Sequence, residues 1–222
     1  MIKTKTFKER GVKYKYAVFD WDGTLADTYP VILGAYKYVF EQLGMKKIPD
    51  SELKATLSTI QNKDALKHFF AENASLAAVY FYEYIEKFHT QKLRPLSGAH
   101  KLLDFCRNSG IKTYLITNKK TKFIHAELEA LNFKGYFKNV VAAGEYEEDK
   151  PHPKACRAVF DNQLPKPSEI IVIGDGEADV KTACALNGAD SIIIDPKGSY
   201  RGAKPTYKIN RLEDVKTILE KN

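Results

Sequence analysis

The chain is poor in cysteine and contains no long apolar run. Only three of its 222 residues are cysteine, and no pair has the Cys-x-x-Cys spacing of thiolate metal sites or redox motifs. We therefore expect no disulfide framework and a cytoplasmic location. No stretch approaches the roughly 18 consecutive apolar residues of a membrane-spanning helix. No signal-peptide pattern is visible either, so the sequence predicts no membrane partner.

The chain also lacks the common signatures of nucleotide and nucleic-acid binding. It has no P-loop, no Gly-x-Gly-x-x-Gly fingerprint and no zinc-finger spacing. The net charge is +7, but residues 1–15 hold six basic residues and one acidic residue, so this segment carries +5 and the rest of the chain only +2. A basic leader of this kind is most often a solvated chain end, and we expect no nucleic-acid partner.

The remaining sequence pattern predicts an α/β fold with a doubly wound, mostly parallel, Rossmann-like sheet. With 44% hydrophobic and 28% charged residues, the composition is ordinary for a globular domain. Apolar runs typical of strands alternate with helical patterns, which is the arrangement of parallel α/β sheets. The predicted strands are 15–20, 111–116, 138–142, 169–173 and 190–194, and the predicted helices are 98–109, 119–131, 153–163 and 177–187.

One stretch, 28–93, interrupts this alternation and contains no strand pattern. Apolar residues recur there at helical spacing over 31–43 and again over 66–88. We therefore predict a small α-helical domain, 28–93, inserted into an α/β core domain made of 1–27 and 94–222. Its aromatic side chains are expected to form a hydrophobic core rather than a stacking surface.

Two carboxylates follow the first predicted strand, in the run YAVFDWDGT at 16–24. Strand alternation places Asp20 and Asp22 on the same side of the chain, and Gly23 allows a turn directly after them. The carboxyl edge of a parallel sheet is where open α/β folds bind ligands. Such a pair can hold a cation and take part in phosphorus chemistry.

This acid pair has two other interpretations. Asp-x-Asp also begins an EF-hand calcium loop, but Leu25 stands where that loop needs glycine and Val31 where it needs a bidentate glutamate. This excludes the calcium loop. The second interpretation, a pair of solvated turn carboxylates, is not excluded by the tripeptide alone.

Three later segments carry polar residues at predicted strand ends. Thr117 can donate a hydrogen bond to a phosphate oxygen, Lys150 stands in a segment stiffened by prolines, and Asp175 and Asp179 can complete a metal site. Taken singly, these are ordinary features of a helix N-cap, a solvated loop and a turn. Chance does not readily explain an acid pair, a hydroxyl, a lysine and a second acid pair in this order.

These residues together resemble the four motifs of phosphatases of the haloacid dehalogenase superfamily. The motifs correspond to 20–28, Thr117, Lys150 and 174–179, and the similarity extends over about 14–195. The similarity covers most of the chain.

Within that superfamily, the runs TNK at 117–119 and KPHP at 150–153 are most similar to phosphoglycolate phosphatases and their near relatives. The true dehalogenases lack the second aspartate of the first motif, so Asp22 argues against dehalogenation. The family's first type of cap domain is a small helical lid after the first motif, which implies that role for 28–93.

The resemblance implies a phosphatase that works through an aspartyl-phosphate. Asp20 would attack phosphorus, and Asp22 would protonate the leaving alcohol and then activate water. Thr117 and Lys150 would hold the phosphoryl oxygens, with Asn118 beside them.

The resemblance also implies Mg²⁺ as the cofactor. Its ligands would be the carboxylates of Asp20 and Asp175 and the backbone carbonyl of Asp22. Asp179 would bind the ion directly or support the other ligands. A divalent cation offsets the repulsion between a phosphate dianion and an incoming carboxylate.

The implied partner is a small phosphorylated metabolite, such as phosphoglycolate or a sugar or nucleotide phosphate, acted on by a monomer or homodimer. The cap loop 58–63 is where such lids reach the site, and Lys63 is the candidate contact for a substrate carboxylate or second anionic group. Two alternatives are a phosphomutase of the β-phosphoglucomutase type and a non-catalytic phosphate- or partner-binding module on the same fold.

Overall fold

The computed structural model describes residues 12–57 and 62–220. The basic segment before residue 12 and most of the predicted cap loop lie outside this range. Contacts divide the chain into two compact units. One contains the residues up to Asp27 and from Arg94 onward, and the other is Thr28–Leu93.

The first unit is built on a parallel sheet. The strands are β1 (Tyr16–Phe19), β2 (Ala26–Asp27), β3 (Arg94–Pro95), β4 (Lys112–Lys120), β5 (Phe137–Ala143), β6 (Ile170–Gly174), β7 (Asp190–Ile194) and β8 (Tyr207–Ile209). Six of them form one sheet in the order β5-β4-β1-β6-β7-β8, and each neighbouring pair is parallel. Strands β2 and β3 form a separate antiparallel pair.

The position of β1 in this sheet explains where a ligand site can form. From β1 the strand order runs to β4 and β5 on one side and to β6, β7 and β8 on the other. This reversal opens a crevice at the carboxyl ends of the central strands. All five residues of β6, four of them isoleucine or valine, are buried, as expected for a strand covered on both faces. The predicted doubly wound α/β class is confirmed.

The helices differ from their predicted bounds at several points. They are α1 (Tyr29–Gln42), α2 (Asp50–Leu57), α3 (Asn62–Phe70), α4 (Ala74–Lys92), α5 (Ala99–Asn108), α6 (Thr121–Ala130), α7 (Pro153–Ala158), α8 (Glu177–Ala185) and α9 (Val215–Leu219). Helix α6 begins later than predicted because β4 continues to Lys120. Helix α7 ends early, before two residues with positive φ, Asp161 and Asn162. The elements β2, β3, β8 and α9 were not predicted. Each contains only two to five residues, and so short a segment shows no clear hydrophobic period.

The second unit consists of α1 to α4 and has its own aromatic core. The ring of Tyr36 contacts those of Phe69, Phe70 and Phe81, with centroids 5.2–6.2 Å apart. Gly34 sits on α1 where an added Cβ would lie 2.2 Å from the hydroxyl oxygen of Tyr84, so glycine permits the close packing of α1 on α4. Within the described residues, no helix combines the length and apolar character needed to cross a bilayer.

A buried hydroxyl should contribute measurably to the stability of the α/β unit. Tyr14 is fully buried and donates to the Asp190 carboxylate at the start of β7, at 2.6 Å. Tyr14→Phe removes this charge-assisted bond, and we expect the free energy of unfolding in urea to fall by about 1–2 kcal/mol. Tyr146→Phe is the matched control because the Tyr146 hydroxyl bonds to no described residue. Equal stability of the two variants would contradict the assignment.

Candidate active site

The first acid loop is fixed by strand pairing and by a tight turn. Asp20 directly follows β1, and its backbone N–H donates to the Ile173 carbonyl of β6 at 2.9 Å. The Trp21 carbonyl accepts the N–H groups of Leu25 and Ala26, both at 3.0 Å. The Asp20 side chain is buried at the carboxyl edge of the sheet. The backbone therefore holds Asp20 in place before any ligand arrives.

Two glycines leave room for aspartates of the site. Gly23 has φ +75°, and an added Cβ there would lie 2.1 Å from a carboxylate oxygen of Asp175. An added Cβ on Gly174 would lie 2.1 Å from the carboxylate of Asp179. Any side chain at either position would displace an aspartate of the site.

Lys150 is the cation of the cluster and is itself buried. Its ammonium contacts the Asp20 carboxylate, the Asp179 Oδ1 at 2.9 Å and the Ile116 carbonyl at 3.2 Å. The peptide bond from Lys150 to Pro151 is cis. Burial alone would lower the pKa of Lys150, but Asp179 and Asp20 outweigh it and raise the pKa. The ammonium therefore remains charged.

Three carboxylates converge beside this ammonium. Asp20, Asp175 and Asp179 each offer an oxygen within 4.8 Å of the other two. Desolvation, followed by the charges of Asp179 and Asp175, raises the pKa of Asp20 despite the opposing effect of Lys150. Desolvation and Asp179 also raise the pKa of Asp175, although its side chain reaches solvent.

The donor set of this cluster fits a hard divalent cation. When ionised, the three carboxylates exceed the single ammonium by two negative charges. All the donor atoms are oxygen, which Mg²⁺ prefers. The carboxylate of Asp22 is not part of this group of three and contacts Lys119 instead.

The second and third predicted motifs meet next to this cluster. Thr117 is buried, and its hydroxyl oxygen accepts the Lys119 N–H at 3.1 Å. The Asn118 side-chain amide donates to the Lys150 carbonyl at 3.0 Å. Asn118 therefore links β4 to the segment that carries Lys150, a role distinct from the predicted phosphate contact, which stays a prediction.

One residue near the site, Glu127, was not identified from the sequence. Glu127 on α6 is almost completely buried and accepts a hydrogen bond from the Trp21 indole N–H at 2.7 Å. Both oxygens of Glu127 also accept from Lys119, at 2.9 and 2.8 Å. The feature that could have identified Glu127 is its position: it is an acidic residue on the buried face of α6, beside Ile124 and Leu128.

The remaining predicted site residue belongs to the helical unit. Lys63 lies in the first turn of α3, but its side chain lies outside the described structure, as does the loop 58–61. Its assignment to the substrate stays a prediction.

The chain is similar to several proteins with names that describe hydrolysis of phosphate compounds. A phosphoglycolate phosphatase from Aquifex aeolicus is 27% identical over 213 residues, covering 91% of this chain and 95% of the relative. A pyrophosphatase from Oceanobacillus iheyensis is 20% identical over 205 residues, covering 91% of this chain and 95% of the relative.

A solved structure and a family profile give the same grouping. The structure of a haloacid dehalogenase superfamily hydrolase, subfamily IA, variant 1, from Geobacter sulfurreducens has a TM-score of 0.77 and 22% identity. The match covers 96% of this chain and 99% of that one, and it shows the shared fold. The profile described as haloacid dehalogenase-like hydrolase matches residues 17–193. Because this match spans most of the sequence, the chain belongs to the haloacid dehalogenase-like hydrolase family.

Proposed function

We propose that the protein is a magnesium-dependent phosphatase that hydrolyses small phosphomonoesters through an aspartyl-phosphate on Asp20. The observation that carries this proposal is the contact of the buried Lys150 ammonium with Asp20 and Asp179. It places a fixed positive charge beside a carboxylate at the sheet edge, which is what attack on an anionic phosphate requires.

In the first step, an Asp20 oxygen forms a bond to phosphorus while the bond from phosphorus to the leaving oxygen breaks. Asp22 gives its proton to that oxygen, which leaves as an alcohol. In the second step, Asp22 takes a proton from water, whose oxygen attacks phosphorus and releases phosphate from Asp20. Two moderate barriers replace one high barrier.

Thr117 and Lys150 are the groups that hold the phosphoryl oxygens. The Thr117 oxygen accepts the Lys119 N–H, which leaves its own proton to donate to phosphate. Lys150 exchanges its contact with Asp20 for one with a phosphoryl oxygen when the substrate binds, and it keeps Asp179 as its anchor. Both groups neutralise charge that redistributes in the transition state.

Mg²⁺ is the proposed cofactor, held by the Asp20 and Asp175 carboxylates and the Asp22 backbone carbonyl, with Asp179 in support. Bound there, the ion would reduce the repulsion between the phosphate and the carboxylates. The negative excess of the acid cluster supports this assignment.

We assign substrate selection to the helical unit, with Lys63 as the candidate contact. A lid that excludes water favours small phosphorylated metabolites over phosphoproteins. The substrates named for the two relatives, phosphoglycolate and pyrophosphate, are both small. A phosphoglycolate-like monoester is therefore the leading candidate.

A panel of phosphate compounds tests the proposed activity. We expect phosphate release from phosphoglycolate and sugar phosphates with a higher kcat/KM than from nucleotides or a phosphopeptide. Asp20→Asn should lower kcat more than tenfold, a barrier increase above about 1.4 kcal/mol, because an amide is a poor nucleophile. Asp104→Asn, a change on α5, is the matched control.

Other outcomes of the same panel would contradict the proposal. Absence of turnover on every compound would favour a binding module. Dependence on a sugar bisphosphate activator, with the phosphoryl group returned to the sugar, would favour a mutase. A clear preference for the phosphopeptide would contradict the lid assignment.

The cation requirement gives a separate prediction. Chelation should abolish turnover, Mg²⁺ should restore it best and Mn²⁺ partly, and Ca²⁺ should inhibit because its larger, looser coordination misplaces the phosphate. Asp175→Ala should raise the Mg²⁺ concentration for half-maximal activity by at least about tenfold. Full activity after exhaustive dialysis against a chelator would contradict the magnesium assignment.

A further inference from the structure

A series of contacts through three side chains leads from the interior of the α/β unit to Asp22. The Trp21 indole N–H donates to Glu127 Oε2 at 2.7 Å. Lys119 Nζ lies 2.9 and 2.8 Å from the two Glu127 oxygens. The same nitrogen lies 2.8 Å from Asp22 Oδ1. The mechanism proposed above uses Asp22 but gives no task to the other three.

The inner part of this series of contacts, Glu127 and Trp21, is rigid. Glu127 is 1% exposed, and a carboxylate at such a position must be paired to be tolerated. Trp21 is completely buried and packs edge-on against Phe133, with ring centroids 5.1 Å apart. The Lys119 ammonium is thus held by groups that are themselves fixed in the core.

This rigidity has its effect at the outer end of the series of contacts, which is Asp22. The Asp22 side chain is 38% exposed and lies directly before the turn at 23–25, so without a partner its carboxylate would be free to rotate. Lys119 occupies Oδ1, which leaves Oδ2 for the exchange of a proton with the leaving oxygen or with water. General acid catalysis depends on this kind of fixed approach.

We propose that Lys119, held by Glu127 and Trp21, positions the Asp22 carboxylate so that Oδ2 faces the reacting oxygen. This inference rests on the proposed phosphatase function and adds three positioning residues to it.

Direct binding of phosphate by Lys119 is the main competing role. The three donors of its ammonium match three acceptors in the structure, which are Asp22 Oδ1 and the two oxygens of Glu127. Burial would lower the pKa of Lys119, but Asp22 and Glu127 raise it overall. A phosphate contact would require Lys119 to give up Asp22 Oδ1, as proposed for Lys150 and Asp20, and the dependence on the leaving group distinguishes that role from positioning.

A comparison of substrates with different leaving groups distinguishes positioning of Asp22 from a role of Lys119 in phosphate binding or in the fold. An alkyl phosphate needs a proton on its leaving oxygen, whereas 4-nitrophenolate leaves without one. For this mechanism, kcat/KM reports the steps through formation of the phosphoenzyme. Lys119→Met should lower kcat/KM for the best alkyl substrate by about 10- to 100-fold and for 4-nitrophenyl phosphate by less than about threefold.

Two further variants keep the result interpretable if Lys119→Met is unstable. Glu127→Gln can still accept from Trp21 but presents an amide N–H₂ to Lys119, so it should show the same selective loss. In an Asp22→Asn background, Lys119→Met should add no further loss, because both changes act on one proton transfer. Lys138→Met on β5 is the charge-matched control and should leave both substrates unaffected.

Each alternative result overturns the inference in a recognisable way. Equal losses on both substrates would mean that Lys119 supports phosphate binding or the fold. Absence of any loss would mean that Asp22 needs no positioning. Failure of the proposed function itself is distinct, because the wild-type protein would then release phosphate from neither compound.

Discussion

The pairing of the buried Lys150 ammonium with Asp20 and Asp179 is the interaction on which the site depends. Without that charge, three carboxylates would face one another at a largely dehydrated sheet edge, and part of the cluster would have to become protonated. The ammonium keeps the acids together but leaves them with excess negative charge. The site is therefore suited to a divalent cation and a phosphate, which bring opposite charges.

The fold places these groups by backbone geometry. Strand β1 lies at the switch point between β4 and β6, so the residues at the carboxyl ends of all three strands meet at one edge. Gly23 and Gly174 allow Asp175 and Asp179 to come within contact of the neighbouring backbone. The resulting precision belongs to strands and tight turns, which are more rigid than long loops.

The sequence predicts the clustered aspartates and Lys150 better than the side chains that support them. Asp20, Asp175 and Lys150 follow apolar runs, and the parallel α/β pattern implies that such strand ends converge. The contact between Trp21 and Glu127 joins residues 106 positions apart, and no local period encodes it. A buried glutamate on α6 was a visible anomaly, but its partners required the fold. Strand β8 and helix α9 were missed because each is too short to show a pattern.

In the proposed mechanism, Asp20 carries the phosphoryl group between two proton transfers that involve Asp22. Pre-steady-state kinetics of Asp22→Asn with 4-nitrophenyl phosphate tests it most directly. This leaving group needs no acid, whereas release of phosphate from Asp20 needs a base. We expect a rapid burst of nitrophenolate equal to the enzyme concentration, with phosphate on the acid-quenched peptide that contains Asp20. Slow linear release without a burst, or phosphate on another residue, would contradict it.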